Sequence, residues 1–214
     1  MEGVGRENEA GGERDLIPDS LLDELERRLD VVEERINVER VKRCVASLPI
    51  FTAVLRRVPA DYYDRSLEER RVLLGAASTA QLCKTIVLEN TAWQEGDDGH
   101  YVAVVLQYIT KIDVEALAGR MHRPPSRRPK YQLAPEAVSR ALTGFIHNAV
   151  TVFGLRSPLP VVVCQRVADV SPPYVYLGGG SVDAKLGLAV SELVAGAVVC
   201  GRVSVPREAA EEEG

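Results

Sequence analysis

The run Leu82-Cys83-Lys84-Thr85-Ile86-Val87-Leu88, the turn Glu95-Gly96-Asp97-Asp98-Gly99 and the run His100-Tyr101-Val102-Ala103-Val104-Val105-Leu106-Gln107-Tyr108 decide the fold class. Two β-rich runs flank a polar turn that contains glycine. That predicts a hairpin of strands over Lys84–Glu89 and His100–Tyr108. Further along, Val161–Cys164, Tyr174–Leu177 and Val198–Val203 read as strands. Short helices are predicted over Ser66–Leu74, over Asp113–Met121 with Asp113 as N-cap, over Pro135–Leu142 with Pro near the first position, and over Glu192–Gly196. The strands and short helices lack regular βαβ spacing. The fold class is therefore α+β, with a mixed or largely antiparallel sheet.

Upstream of this region the pattern changes to a single long helix. Pro18, Asp19 and Ser20 form a start signal. Leu22, Leu25, Leu29, Val32 and Ile36 recur at helical spacing, and the stripe then shifts to Val38, Val41 and Val45. A helix over residues 20–47 follows. Glu24/Arg28 and Glu39/Arg43 lie four residues apart on a face suited to solvent. The apolar face either packs on its own domain or forms an interface with a second copy or another partner. The domain layout expected is an acidic disordered tail at 1–15, an amphipathic helix at 16–48, one domain at 49–206 and an acidic disordered tail at 207–214.

Hydrophobic residues make up 46% of the 214 residues and aromatics only 5%, so Val, Leu, Ile and Ala must build the core. No apolar run approaches the roughly 18–20 residues that span a bilayer. Cys44, Cys83, Cys164 and Cys200 lie far apart with no CxxC pair, which reads as a reduced, cytoplasmic chain without a closed zinc site. No metal or other cofactor is expected. The formal net charge is -5, but the two tails carry all of it: residues 1–15 have a net charge of -3 and residues 208–214 of -4, which leaves +2 for residues 16–207. Within that core Arg120, Arg123, Arg127, Arg128 and Lys130 form a basic run broken by prolines. It is either a solvated loop or an arm that contacts phosphates, whose binding would weaken as salt rises.

Several catalytic signatures are absent: no GxSxG, no HExxH and no GxxxxGK[ST]. Three segments remain informative. Lys84 is a lone charge in an apolar strand, where it either snorkels to solvent or places a fixed charge in a pocket. Thr143-Gly144-Phe145-Ile146-His147-Asn148-Ala149-Val150-Thr151-Val152-Phe153-Gly154 has glycines near both ends. It is either a plain turn or a loop whose N–H groups face an anion. Gly178-Gly179-Gly180 permits close approach of backbone or ligand, without the spacing of a dinucleotide fingerprint.

In this order the segments resemble the YbaK/ProX family of aminoacyl-tRNA deacylases, the editing domain also associated with prolyl-tRNA synthetase. Leu74-Gly75 followed by Lys84-Thr85-Ile86-Val87-Leu88 matches the family's "LG" and "KTxVL". Thr143 to Gly154 matches "TGYxxGGxSPxG", Leu159-Pro160 precedes a β-run, and Gly178-Gly179 ends a strand. The resemblance covers about residues 50–205. It implies a mixed sheet curved toward a barrel with flanking helices, and hydrolysis of the ester of a mischarged tRNA, of the Cys- or Ala-tRNA(Pro) type. It carries the catalytic lysine onto Lys84. It carries the glycine-containing loop onto Gly144 and the Asn148–Ala149 pair, and the glycine turn onto Gly178 and Gly179. Thr143, Phe153, Gly154 and Gly180 complete the substrate-binding candidates of these segments, with His147, which is either a donor to the substrate or a structural histidine; the basic run, read from its charge, is the candidate tRNA contact. The partner implied is the aminoacylated 3′ end of tRNA, with a homodimer or a synthetase as candidate occupant of residues 20–47.

The sequence departs from the family pattern at four positions. Asn148-Ala149 stands for Gly-Gly, Val152 for proline and Cys164 for aspartate. Asn is the non-glycine residue best suited to a left-handed backbone, so the loop shape is expected to survive, with the Ala149 methyl narrowing the pocket. These departures also keep open a non-catalytic module that binds an aminoacyl end within a larger assembly.

Overall fold

The computed structural model describes residues 18–97, 99–122, 127–195, 198–200 and 203–206, with the backbone alone for 198–200. The first element is helix α1 (Asp19–Ala46). It is followed by β1 (Val54–Arg57), a 3-10 turn (Tyr62–Asp64), α2 (Leu67–Leu74), a second 3-10 turn (Thr79–Gln81), β2 (Cys83–Asn90), β3 (Tyr101–Gln107), β4 (Thr110–Ile112) and α3 (Val114–Met121). Then come β5 (Tyr131–Leu133), α4 (Glu136–Thr143), β6 (Val161–Cys164), α5 (Gln165–Ala168), β7 (Tyr174–Gly178), β8 (Ala184–Ala189), α6 (Val190–Val194), β9 (Val198–Cys200) and β10 (Ser204–Pro206). The predicted acidic tails lie outside the described residues, as do Arg123 and the residues around it.

The fold is α+β with a mixed sheet, as the hairpin and the scattered helices imply. A five-stranded sheet runs β5-β2-β3-β6-β9, a three-stranded sheet β1-β8-β7, and a two-stranded one β10-β4. The predicted hairpin pairs in register, Lys84 opposite Leu106 and Ile86 opposite Val104. Strand β6 adds parallel to β3, and β9 parallel to β6. Among the described residues the sheets do not close into a barrel. An isolated parallel bridge between Leu82 and Tyr176 links the five-stranded and three-stranded sheets. Strand β3 is buried on both faces, which suits its near-continuous apolar run.

Helix α2 shows how local sequence fixes the elements beside the site. The Ser66 side chain accepts from the Glu69 N–H, and the Glu69 carboxylate accepts from the Ser66 N–H at 2.9 Å. This reciprocal cap contributes about 1 kcal/mol. Gly75, at φ 64, ends the helix.

The chain divides into two units, residues 1–33 and 34–214. In the first, Leu21, Leu22, Leu25, Leu29, Val31 and Val32 are exposed. In the second, Ile36 is exposed, whereas Val38 and Val41 are buried in the core with Val45 packed beside them. The apolar face that packs within residues 34–214 is the shifted stripe of Val38, Val41 and Val45. The core selects by phase: Asn37, Val38 and Val41 point inward from a turn rotated past Ile36. Arg40, one residue before Val41, donates to the Thr143 carbonyl at 3.1 Å and lies over the Phe145 ring. A chain lacking residues 1–33 is expected to melt within a few degrees of the full chain. A chain lacking residues 1–46 loses two buried valines, at about 1.5–3 kcal/mol each, and is expected to melt roughly 10 °C lower or worse. Thermal denaturation of the two truncations checks this.

Candidate active site

A cavity of about 530 Å³ opens between β2, the Tyr62–Asp64 turn, the start of α4, the loop after α4 and the β7–β8 hairpin. Strand β2 brings Lys84 to its wall, and the Lys84 Nζ sits 5.6 Å from the centre of the Tyr108 ring. Tyr62, Tyr63, Tyr108 and Tyr176 also line it, four of the chain's seven tyrosines. In a sequence this poor in aromatics, that concentration marks the site. The Arg70 guanidinium lies within 6 Å of the rings of Tyr62, Tyr63 and Tyr108, a cation–π arrangement on their common side. Burial raises the Tyr62, Tyr63 and Tyr108 phenols above their ordinary value, so all three are neutral donors at physiological pH.

Lys185 on β8 is the second lysine of this cavity, and it is only 4% exposed. Burial pushes its ammonium down to about 7, repulsion from Arg70 adds to this, and attraction to Asp183 opposes it. Between about pH 7 and its ordinary 10.5, the unfolded chain therefore holds more of the proton than the folded one. The stability contributed by this residue rises with pH through that window, and below pH 7 the full penalty of the buried charge is present. Relative to Lys185→Met, the wild type is expected to gain stability as pH rises from about 6 to about 9. Urea unfolding at both pH values reads the change directly, and a constant gap would refute it.

Of the candidate site residues, Lys84, His147, Asn148 and Gly178 line this cavity. Asn148 adopts φ 64, so the left-handed turn survives without glycine. A Cβ at Gly178 would overlap the Val150 carbonyl oxygen and lie 2.8 Å from that of Ala149, so glycine lets β7 pass against the loop.

The other assigned residues sit elsewhere. Thr143 is fully buried; its hydroxyl donates to the Ser139 carbonyl at 2.7 Å and accepts from the Phe145 N–H. Gly144 caps α4 at φ 76, and Gly154 at φ 72 faces Arg40. Ala149 is buried in the core rather than narrowing the cavity, and its N–H is engaged by the Ile146 carbonyl. Gly179 packs on Leu55 and Ala184, and Gly180 on Asn37. Phe153 belongs to a separate apolar cavity of about 320 Å³ with Cys44, Leu48 and Ile50. These seven residues shape the loop and its packing against α1, β1 and β8.

In the basic run, Arg120, Arg127, Arg128 and Lys130 are exposed. Arg128 pairs with Glu115 at 3.3 Å. Cys164 is fully buried at the start of α5, as expected of core filler. Cys83 lines the cavity, but burial pushes its thiol up and keeps it protonated.

Lys185 and the tyrosine pair were not legible as site residues. The available signal was the one Lys84 gave, a lone charge within an apolar strand. Among the described residues no three His, Cys, Asp or Glu cluster as metal ligands, and no helix is long and apolar enough to cross a membrane.

The family model described as the aminoacyl-tRNA editing domain matches residues 64–195. Among solved structures, a proposed trans-editing enzyme for prolyl tRNA synthetase superposes with a TM-score of 0.62 at 21% identity, covering 77% of this chain and 95% of its own. A hypothetical protein superposes at 0.60 with 25% identity, covering 78% and 99%. A scaffold used for computational epitope grafting superposes at 0.62 with 20% identity, covering 78% and 96%. A comparison with proteins of curated function gives no match.

Proposed function

The chain belongs to the aminoacyl-tRNA editing domain family, and from that premise we propose that it acts in trans on a mischarged tRNA, hydrolysing the ester between the amino acid and the 3′ end. The substrate type inferred is Cys- or Ala-tRNA(Pro). The observation that carries this reading is the convergence of Lys84, His147, Asn148 and Gly178 on one cavity with buried phenols around it. An aminoacyl ester is already activated, so hydrolysis needs charge stabilisation and positioning more than a strong protein base.

In this reading water adds to the ester carbonyl, the oxygen gains negative charge, and the ribose oxygen leaves with a proton to give free amino acid and tRNA. Lys84 supplies positive charge to the developing oxyanion or to the ribose and phosphate oxygens of the terminal adenosine. Glu136 is the sole carboxylate among the described lining residues and would receive the α-ammonium of the aminoacyl group. The exposed Arg120, Arg127 and Lys130 are candidates for contact with tRNA phosphates.

Purified protein incubated with a panel of mischarged tRNAs, Cys- and Ala-tRNA(Pro) among them, should release amino acid faster than the spontaneous rate. A panel left intact overturns the reading. The exposed leucine face of residues 19–33 favours a second one, in which the domain joins a second copy or a synthetase through α1. Sedimentation of the full chain against the chain lacking residues 1–33 tests it: equal sizes and no bound synthetase exclude that role.

A further inference from the structure

Lys185 has three acceptors within reach of its three N–H bonds. Its Nζ lies 2.6 Å from the Tyr63 hydroxyl, 3.0 Å from the Val182 carbonyl oxygen and 3.5 Å from that of Asn148. The Tyr63 hydroxyl in turn donates to the Asn148 carbonyl oxygen at 2.6 Å. Among the described residues Asn148 is the one non-glycine at positive φ. A left-handed backbone costs roughly 1–2 kcal/mol per residue, so this peptide must be held by its neighbours.

The chemistry of the two donors makes the chain directional. An ammonium has no lone pair and can only donate. The Tyr63 hydrogen then points away from Lys185, to the Asn148 carbonyl at 2.6 Å, with the Tyr108 hydroxyl as its other neighbour. A neutral amine has one lone pair and can accept that hydrogen. The Asn148 carbonyl would then lose its short bond, and with it the restraint on the loop that carries His147.

We propose that Lys185 is a positioning residue of the editing site: as an ammonium it aims the Tyr63 hydroxyl at the Asn148 carbonyl, fixing the His147–Val150 wall, and as an amine it releases that wall. The effect on rate rests on the editing reading given above; the relay itself does not. Charged and titratable groups face Lys185 from every side of the cavity. The Tyr62 and Tyr63 rings lie 5.0 and 4.4 Å from its Nζ, Arg70 repels it, Asp183 attracts it, and Lys84, Tyr108, Glu136 and His147 line the same space. Burial brings its titration to about 7, so both forms are populated near neutrality.

The test follows the Asn148 carbonyl carbon and the Ala149 amide by NMR from about pH 5.5 to about pH 9. His147→Gln serves as the background, so that no imidazole adjoins the reporting atoms. A step with a midpoint near pH 7 is expected. It should vanish in Lys185→Arg, whose guanidinium stays charged, and shrink in Tyr63→Phe, which has no hydrogen to redirect and keeps only the direct 3.5 Å contact of Lys185 with the Asn148 carbonyl. If Lys185→Arg fails to fold, Tyr63→Phe alone decides. Deacylation kcat/KM, corrected for spontaneous hydrolysis and measured with His147 intact, should fall about tenfold above the step relative to Lys185→Arg. A flat line in the parent protein overturns the proposal, and so does a step that persists in Lys185→Arg or keeps its full size in Tyr63→Phe. Should no mischarged tRNA be cleaved, the editing reading fails while the NMR step still decides the relay.

Discussion

Replacing Lys84 by alanine is expected to lower deacylation by about 100-fold or more while the protein remains folded. Removing one preorganised group that stabilises developing charge typically costs a factor of 10²–10³ in rate. Lys84 is half-buried on β2, where its charge acts in an environment that screens it less than bulk water. The fold depends on it little. Its contact with the Tyr108 ring, at 5.6 Å, is of a kind worth about 0.5–2 kcal/mol. The predicted signature is a large loss in kcat/KM with a melting temperature only a few degrees lower. Lys84→Arg should recover part of the rate, since it restores charge but not shape. An alanine variant as active as the parent would remove Lys84 from the mechanism and return it to the role of a snorkelling surface residue.

Gly178→Ala is expected to damage fold and site together. The added Cβ would meet the carbonyl oxygens of Val150 and Ala149, both backbone atoms that no rotamer change can move aside. Relief requires displacing either β7 or the loop that presents His147 and Asn148. Overpacking of this sort costs about 1–3 kcal/mol, or roughly 2–10 °C in a domain of this size. Because the loop is itself a wall of the cavity, deacylation should drop by about tenfold or more even at temperatures where the variant is folded. Gly119→Ala is the matched control. Its Cβ would meet nothing nearer than the Arg128 guanidinium at 3.9 Å, within helix α3. It should be neutral or stabilise by about 0.5–1 kcal/mol. Thermal melts and deacylation assays on the pair separate a steric clash from a general intolerance of substitution.

The contrast between Lys84 and Lys185 shows what the sequence could reveal. The hairpin of β2 and β3 was legible because its strands are long, rich in β-branched residues and separated by an unmistakable turn. Strands β4, β5 and β10 have three residues each, too short for any periodicity to register. Strand β8 carries a lysine and a glycine, Lys185 and Gly187, which disguise a buried strand. Lys84 stood out through its motif. Lys185 acquires its meaning from Tyr63, a residue 122 positions away, and no local pattern encodes that meeting. The Thr143–Gly154 loop supplies His147 and Asn148 to the cavity, whereas its two glycines, Gly144 and Gly154, lie against Arg40 of α1. A left-handed turn looks the same in sequence whatever approaches it. The apolar stripe on α1 has a related limit: spacing reports that a face exists, whereas burial depends on which face the rest of the core can reach.

The isolated bridge between Leu82 and Tyr176 has a bearing on how such a site can diversify. Lys84 stands on one side of that seam and Lys185 on the other, so the gap between them is set by how two sheets lean together. Packing changes behind the seam can widen or tighten the gap while every reactive group stays in place. Under the proposed editing function, discrimination by size is thereby separable from chemistry, and ordinary core substitutions would suffice to shift the preferred amino acid.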